Sequence, residues 1–339
     1  MKTETIDIIN IGLLITAFIV ALLLPFELFL FSYAFLGPLH YLTEINWLDN
    51  KKYFIKSKQN IYKIFVVLAS VIAVFPLIKY LNFDNAFLNF MSSQKHIILV
   101  SGFLFSVGLI LFSKFKHLII VFVSSILFSL LCFLFVPKVI LALGIFLPTL
   151  IHVYIFTLLF MIYGQLKQRT NAGFISILLL ISAPVILLFM DVVPNSYEVS
   201  EFAEQTFLGS GFLSINTIVA DFFTDLNPSN IDIMSPTILK VQVFMAFAYT
   251  YHYLNWFSKT SIIGWKSSLT HKRTRYIIVV WLASVGIYLY DYITGLTVLF
   301  FMSLLHVVLE FPLNATTIRE IAHVGFKKIA GVTGIRKPN

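Results

Sequence analysis

The sequence predicts an all-α protein, a polytopic transmembrane helical bundle of about ten spans (nine possible) with both termini in the cytoplasm. Three observations lead to this fold class. First, 59% of the 339 residues are hydrophobic and only 12% are charged, whereas soluble domains carry about 25% charged residues. Second, the chain contains ten apolar runs of spanning length. Third, lysine and arginine cluster in alternate loops, and the acidic segment between 191 and 236 contains neither.

The spans follow from length and hydropathy. A helix needs about 20 mostly apolar residues to cross a hydrocarbon core roughly 30 Å thick. Pro25 and Glu27 indicate a turn between the first two runs, although one bent helix followed by a re-entrant segment would also use them, which leaves nine spans possible. In chain order the runs are 8–24, 26–47, 61–80, 96–113, 118–136, 139–163, 173–190, 237–257, 276–293 and 296–313. The first run follows acidic residues and lacks a small-residue cleavage site, so we expect it to be retained.

The loops predict the orientation. Lysine and arginine concentrate in the loops 51–63, 114–116, 167–169 and 259–275 and in the tail, and such loops are cytoplasmic by the positive-inside rule. The sequence thus predicts a transmembrane domain over 1–313 and a basic cytoplasmic tail over 314–339. Segment 191–236 is predicted to lie outside, with one or two short interfacial helices. The formal net charge of +8 reflects this loop bias and not nucleic-acid binding. We expect a bacterial cytoplasmic (inner) membrane location.

Four of the eight histidines lie within apolar runs, whereas the other four lie at span ends, in basic loops or in the tail. The four in apolar runs are His40, His152, His252 and His306. All fall on even-numbered predicted spans, about 14, 13, 15 and 10 residues from the outer end. At a rise of about 1.5 Å per residue they form one layer near the membrane midplane. A buried polar side chain without a partner is costly, so matched depth favours a shared metal site.

Two of these histidines are followed four residues later by a carboxylate. Glu44 follows His40 and Glu310 follows His306, a spacing that places each pair on one helical face. Such a carboxylate can orient the imidazole, bind the metal itself or act in catalysis. The alternative is that each histidine hydrogen-bonds a neighbouring helix, and His152 could bond a carbonyl freed by a kink at Pro148. Cys132 is the single cysteine, which excludes a disulfide or a cysteine-based zinc site.

Histidine ligands with few carboxylates and no thiolates favour iron, copper or zinc. An open iron site in an apolar setting predicts oxygenation or desaturation of a hydrophobic molecule. The clustered histidine boxes of membrane desaturases are absent. Gly37-Pro38-Leu39-His40 with Glu44 instead resembles the Brp/Blh family of membrane β-carotene-cleaving dioxygenases, as does His306 in a late helix ending near Pro312. In that family the proline and leucine are exchanged and an aspartate stands in place of Glu44.

This resemblance implies ferrous iron (Fe2+) held by the dispersed histidines, with a carotenoid or another lipid as the hydrophobic small-molecule partner. Two other functions stay open. The histidines could bind haem in pairs, as in a b-type electron carrier. Alternatively, histidines and carboxylates could line the polar pathway of a transporter or channel.

Overall fold

A computed structural model describes residues 3–56, 61–78, 85–190, 197–224 and 231–329. Every regular element among these residues is helical, and none of them lies in a β-strand. The α-helices are α1 (Thr3–Leu23), α2 (Pro25–Phe31), α3 (Gly37–Asn50), α4 (Ile61–Ile78), α5 (Ala86–Ser93), α6 (Lys95–Leu111), α7 (Phe115–Phe135), α8 (Pro137–Phe146), α9 (Thr157–Lys167), α10 (Asn171–Phe189), α11 (Glu201–Ser210), α12 (Phe212–Asp221), α13 (Pro236–Ser258), α14 (Thr260–Ile263), α15 (His271–Tyr290) and α16 (Tyr292–Ile329).

Several helices are long and apolar enough to cross a bilayer, which marks the chain as a membrane protein. Five described helical segments meet this test, and a sixth is counted if α5 and α6, bent by 62°, form one span. That is fewer than the ten predicted spans. The predicted span 26–47 is divided by a π-helical turn, and α13 carries Gln242, Thr250, His252 and Asn255 in its interior. Both features reduce the unbroken apolar length that a spanning helix needs.

The chain turns back at Leu24, so that residues 8–47 form two antiparallel segments. On α1, Asn10 accepts a hydrogen bond from Ser258 at the end of α13. At the other end, Gln242 near the start of α13 donates to the Pro25 carbonyl at 3.0 Å. Beyond the turn the order reverses, because Trp256 of α13 donates to Thr43. Hence α1 runs antiparallel to α13, and α2 and α3 run parallel to it.

Two π-helical segments interrupt the bundle. The first π segment (Ser32–Leu36) joins α2 to α3, and the second π segment (Leu147–Phe156) joins α8 to α9. Each has a proline nearby, Pro38 or Pro148. Proline lacks the N–H for a helical bond, and its ring crowds the carbonyl four residues earlier, which the wider π turn accommodates. Just before Gly37-Pro38 the helix therefore widens into a π turn and is not broken, since Gly37 keeps helical backbone angles (φ −54°, ψ −56°).

The centre of the bundle is α13, in which 16 of 23 residues are buried. The more apolar α7 buries only Leu118, Ser125 and Ser129. This distribution suits a bilayer, since lipid satisfies apolar surface and only the protein interior can satisfy polar side chains.

The segment over 191–236 contains two short helices, α11 and α12, which confirms the predicted one or two. Its Tyr197 donates to the Glu27 carboxylate, and the Ser200 backbone N–H and hydroxyl donate to the same group at 3.1 and 2.9 Å. This fastens the segment to the start of α2. Parts of it, 191–196 and 225–230, lie outside the described residues.

At the other terminus, α16 continues past residue 313 as far as Ile329. The predicted boundary between membrane domain and tail thus falls inside one helix, and 330–339 of the tail lie outside the described residues. The domain division stays a prediction.

Candidate metal centre

The four intramembrane histidines come from four different elements of the bundle. His40 lies on α3, His152 on the second π segment, His252 on α13 and His306 on α16. None of them is more than 6% exposed. Both π segments therefore lie next to or contain a histidine of this group, which is a common setting for π turns.

The four imidazole rings form a closed ring of neighbours. The ring centroids of His40 and His252 are 4.6 Å apart. The centroid of His152 lies 4.9 Å from those of both His252 and His306, and the His306 and His40 centroids are 5.4 Å apart. The structure thus brings together all four residues that matched depth had singled out, whereas their role as metal ligands stays a prediction.

The imidazole nitrogens approach one another in two pairs. The Nε2 atoms of His40 and His252 are 3.0 Å apart, and those of His306 and His152 are 3.1 Å apart. His40, His152 and His306 each offer a nitrogen within 4.8 Å of the other two, so this buried cluster could hold a metal ion. Two nitrogens bound at roughly 2.1 Å and at a right angle would be about 3.0 Å apart. The spacing within each pair therefore matches that of neighbouring metal ligands, and the cluster that meets the distance criterion for all its members contains three of the four histidines.

Thr157 fixes the proton on the His252 ring. The Thr157 hydroxyl donates to the Val153 carbonyl at 2.8 Å, and the same oxygen lies 2.8 Å from His252 Nδ1. Because a hydroxyl has one proton, Thr157 must accept from Nδ1–H of His252. The lone pair of His252 is then on Nε2, the nitrogen that faces His40.

Glu310 contacts a different histidine from the expected one. Its Oε2 lies 2.8 Å from Nδ1 of His152 on the neighbouring segment. The expected pair of His306 and Glu310 along one helical face is replaced by this contact between helices. The other nitrogen of His152, Nε2, faces His306 at 3.1 Å.

The expected proximity of His40 and Glu44 is confirmed, with 3.0 Å between His40 Nε2 and Glu44 Oε2. The carboxylate thus lies on the side where the imidazoles meet and not behind the ring. Glu44 and Glu310 are also close enough to interact electrostatically. Glu44 is therefore placed to bind a cation as well as to orient a ring.

The centre contains buried polar atoms that the described residues do not satisfy. Nδ1 of His40, His152 and His306 and both Glu44 carboxylate oxygens have no aligned hydrogen-bond partner in the described part of the chain. Unsatisfied polar atoms in an apolar interior are costly. Imidazoles and carboxylates in this arrangement are a donor set that could hold a cation.

An aromatic shell surrounds the imidazoles. The Trp256 and Tyr253 rings lie 5.5 and 5.2 Å from that of His40, and the Tyr41 ring lies 5.8 Å from that of His306. These rings limit the access of lipid and water to the centre. Thr157 and Trp256 were not singled out from the sequence, in which no pattern links them to histidines that are distant along the chain.

A cavity of about 390 Å³ connects the centre with one end of the bundle. Its inner end is lined by His40, His252, Glu44 and Glu310, and its outer end by the exposed Lys167 and Gln168. This end also carries the N-terminus, because Asp7 accepts a hydrogen bond from Thr170 at 2.6 Å. The centre is therefore reached from the end of the bundle that bears basic loops.

Lys259 lies beside this cavity, directly after α13. Burial lowers the pKa of its ammonium to about 8, and the nearby Asp7 carboxylate opposes part of that decrease. An ammonium group that loses its proton near pH 8 thus adjoins the route to the histidines.

Comparisons of the chain with protein-family models, with curated proteins and with solved structures found no match.

Proposed function

We propose that this protein is an integral membrane metalloprotein in which His40, His152, His252 and His306 hold a non-haem iron ion. We further propose that it acts as an oxygenase on a hydrophobic substrate, a carotenoid or another lipid. The observation that carries the proposal is the closed ring of four buried imidazoles, with Nε2 atoms 3.0 and 3.1 Å apart in two pairs. The short likeness to the Brp/Blh family gives secondary support.

The donor set supports iron over the harder cations. Imidazole suits iron, copper and zinc, whereas magnesium and calcium prefer a shell of oxygen ligands. When bound, histidine-ligated iron supplies dioxygen-dependent oxidation chemistry. The chain's own residues would orient the ligands through Thr157 and Glu310, and the aromatic shell would exclude bulk water.

The geometry argues against haem. The two axial histidines of a b-type haem bind on opposite faces of the iron, so that their nitrogens are about 4 Å apart with a porphyrin between the rings. The observed Nε2 pairs are closer than that, and each ring is also in contact with a third histidine.

We also propose the ten-span topology, with both termini on the cytoplasmic side of a bacterial inner membrane. The antiparallel arrangement of α1 and α3 supports counting them as separate spans. The contact of Asp7 with Thr170 supports placing the N-terminus beside the loop at 167–169.

Oxygen consumption tests the oxygenase. Protein purified in detergent without oxygen is loaded with ferrous iron and then given dioxygen with either β-carotene or membrane lipid. We expect substrate-dependent oxygen uptake and an oxidised product in the wild type and in His271→Ala, which changes an exposed histidine. We expect neither in His40→Ala. Iron-loaded wild type that takes up no oxygen with either substrate would contradict the oxygenase while leaving the metal site intact.

A further inference from the structure

We propose that the cavity beside the histidines binds an amphiphilic alcohol, a molecule with a long apolar body and a hydroxyl group. The inference rests on the proposed function, since it names the chemical class of the substrate of that site. It narrows the proposed carotenoid or other lipid to molecules that carry a hydroxyl group.

The size and the walls of the cavity suit an apolar body. Its volume of about 390 Å³ lies in the range of small-molecule sites, roughly 300–1,000 Å³. Trp47, Trp256, Phe160 and Met161 line it between the histidines and the exposed end. Flat aromatic walls of this kind bind aliphatic or conjugated chains by burial.

The same walls contain buried polar atoms, and a hydrocarbon cannot form hydrogen bonds with them. Trp47 Nε1, Asn255 Oδ1 and Thr317 Oγ1 have no hydrogen-bond partner among the described residues. Their side chains belong to residues only 6%, 7% and 1% exposed, and all three residues line the cavity. Buried groups of this kind are normally paired, so the occupant of the cavity is expected to pair them.

These atoms lie at different depths between the histidines and the exposed end. Asn255 follows His252 by three residues on α13, Trp47 follows His40 by seven on α3, and Thr317 follows His306 by eleven on α16. They are therefore about one, two and three helical turns beyond the histidines. A ligand with its apolar part at the histidines would place its polar group along this stretch of the cavity.

The types of atom call for a substituent that can both donate and accept a hydrogen bond, as a hydroxyl group does. The Trp47 indole only donates, the Asn255 oxygen only accepts, and the Thr317 hydroxyl does both. An alcohol oxygen can accept from Trp47 and donate to Asn255. A carbonyl or a carboxylate cannot donate, and a hydrocarbon can do neither.

Photoaffinity labelling of the full-length, iron-loaded protein tests this inference. The probe is a long-chain primary alcohol that carries a diazirine and an alkyne, and the competitors are the unlabelled alcohol, its methyl ether and the matched alkane. We expect labelled peptides from α9 and α13. We expect the alcohol to compete at about tenfold lower concentration than the ether, because the ether cannot donate to Asn255.

A pair of variants assigns the effect to the cavity. Asn255→Leu should weaken competition by the alcohol about tenfold and leave the ether unchanged, because it removes the acceptor. The matched control is Asn46→Leu, whose amide bonds Ser268 and does not line the cavity. Equal competition by alcohol, ether and alkane, or an unchanged alcohol affinity in Asn255→Leu, would overturn the inference.

The test also separates the two proposals. Binding is measured without turnover and is repeated on metal-free protein. Loss of the alcohol preference in protein that retains iron and consumes oxygen would refute the alcohol and leave the oxygenase standing. Selective alcohol binding in protein that never takes up iron would refute the oxygenase and leave the alcohol site standing.

Discussion

Thr157 shows how a single hydroxyl can select a metal-binding nitrogen. Its proton is used on the Val153 carbonyl, so it accepts from His252 Nδ1 and leaves Nε2 free. Partners of this kind fix the tautomer and orientation of ligand histidines, and their loss typically reduces metal affinity 10–100-fold.

We therefore expect Thr157→Val to weaken iron binding by about 10–100-fold, because the tautomer is no longer fixed. Competition with a chelator measures the affinity. Thr157→Ser keeps the hydroxyl and should restore most of it. Thr217→Val serves as the matched control, since Thr217 bonds only the carbonyl of Ser214 in its own helix. Wild-type affinity in Thr157→Val would refute the assigned tautomer.

A second prediction at this scale concerns Lys259, whose pKa is lowered to about 8 because the ammonium is buried, with Asp7 in partial opposition. Only the neutral amine reacts with acylating reagents. Labelling of Lys259 should rise with pH and level off just above pH 8, whereas an ordinary lysine, with a pKa of about 10.4, continues to gain reactivity to pH 10. Mass spectrometry of peptides after brief labelling at several pH values measures this. A Lys259 profile that keeps rising to pH 10 would contradict the lowered pKa.

At the scale of the elements, α8 is held close to α6 through Gly144. A Cβ added there would lie 2.5 Å from the His96 Cβ and 2.7 Å from its Cα. The contact involves backbone, which a rotamer change cannot relieve. This packing positions the start of the second π segment, and with it His152.

Gly144→Ala should destabilise the protein by about 1–3 kcal/mol through overpacking and reduce iron occupancy by displacing His152. Gly12→Ala is the matched control, because no other atom lies within 4 Å of its added Cβ, and a helical alanine is there favoured over glycine. Thermal unfolding in detergent, with metal analysis, measures both. A melting temperature equal to that of the wild type in Gly144→Ala would contradict the close packing.

The histidine layer could be predicted because the rise of a helix converts residue number into depth. Rotation about each helix is harder to predict. His306 and Glu310 have the spacing of a pair on one face, yet Glu310 contacts His152. Each π segment changes the rotation of the residues that follow it. In the sequence, a proline is the sole feature that marks the position of either segment. Thr157 could not be found either, because its contact with His252 joins elements 95 residues apart.

At the scale of the whole molecule, polar residues are concentrated in the most buried helix. The described apolar helices give five or six spans where the apolar runs of the sequence predict ten, and the polar residues of α13 reduce its hydropathy. α13 is central because its histidine, asparagine and glutamine side chains can be satisfied only inside the bundle.

The proposed topology places α11 and the end of α9 on opposite sides of the membrane. In a Cys132→Ser background, Glu201→Cys should react with an impermeant maleimide on intact bacterial cells. Lys167→Cys should react only after permeabilisation. Both native residues are exposed, so access to each is limited by the bilayer alone. Labelling of both from the same side would contradict the ten-span arrangement.

Four imidazoles from four elements are proposed to hold one metal ion, and X-ray absorption spectroscopy of the iron-loaded protein tests this proposal. We expect about one iron per chain, with nitrogen ligands near 2.1 Å and outer-shell scattering from four imidazoles. We expect the imidazole count to fall in His252→Gln and to stay unchanged in the span-end variant His271→Gln. Wild type without bound iron after reconstitution, or iron ligated without imidazole, would contradict the account and leave the histidines as hydrogen-bonded pairs.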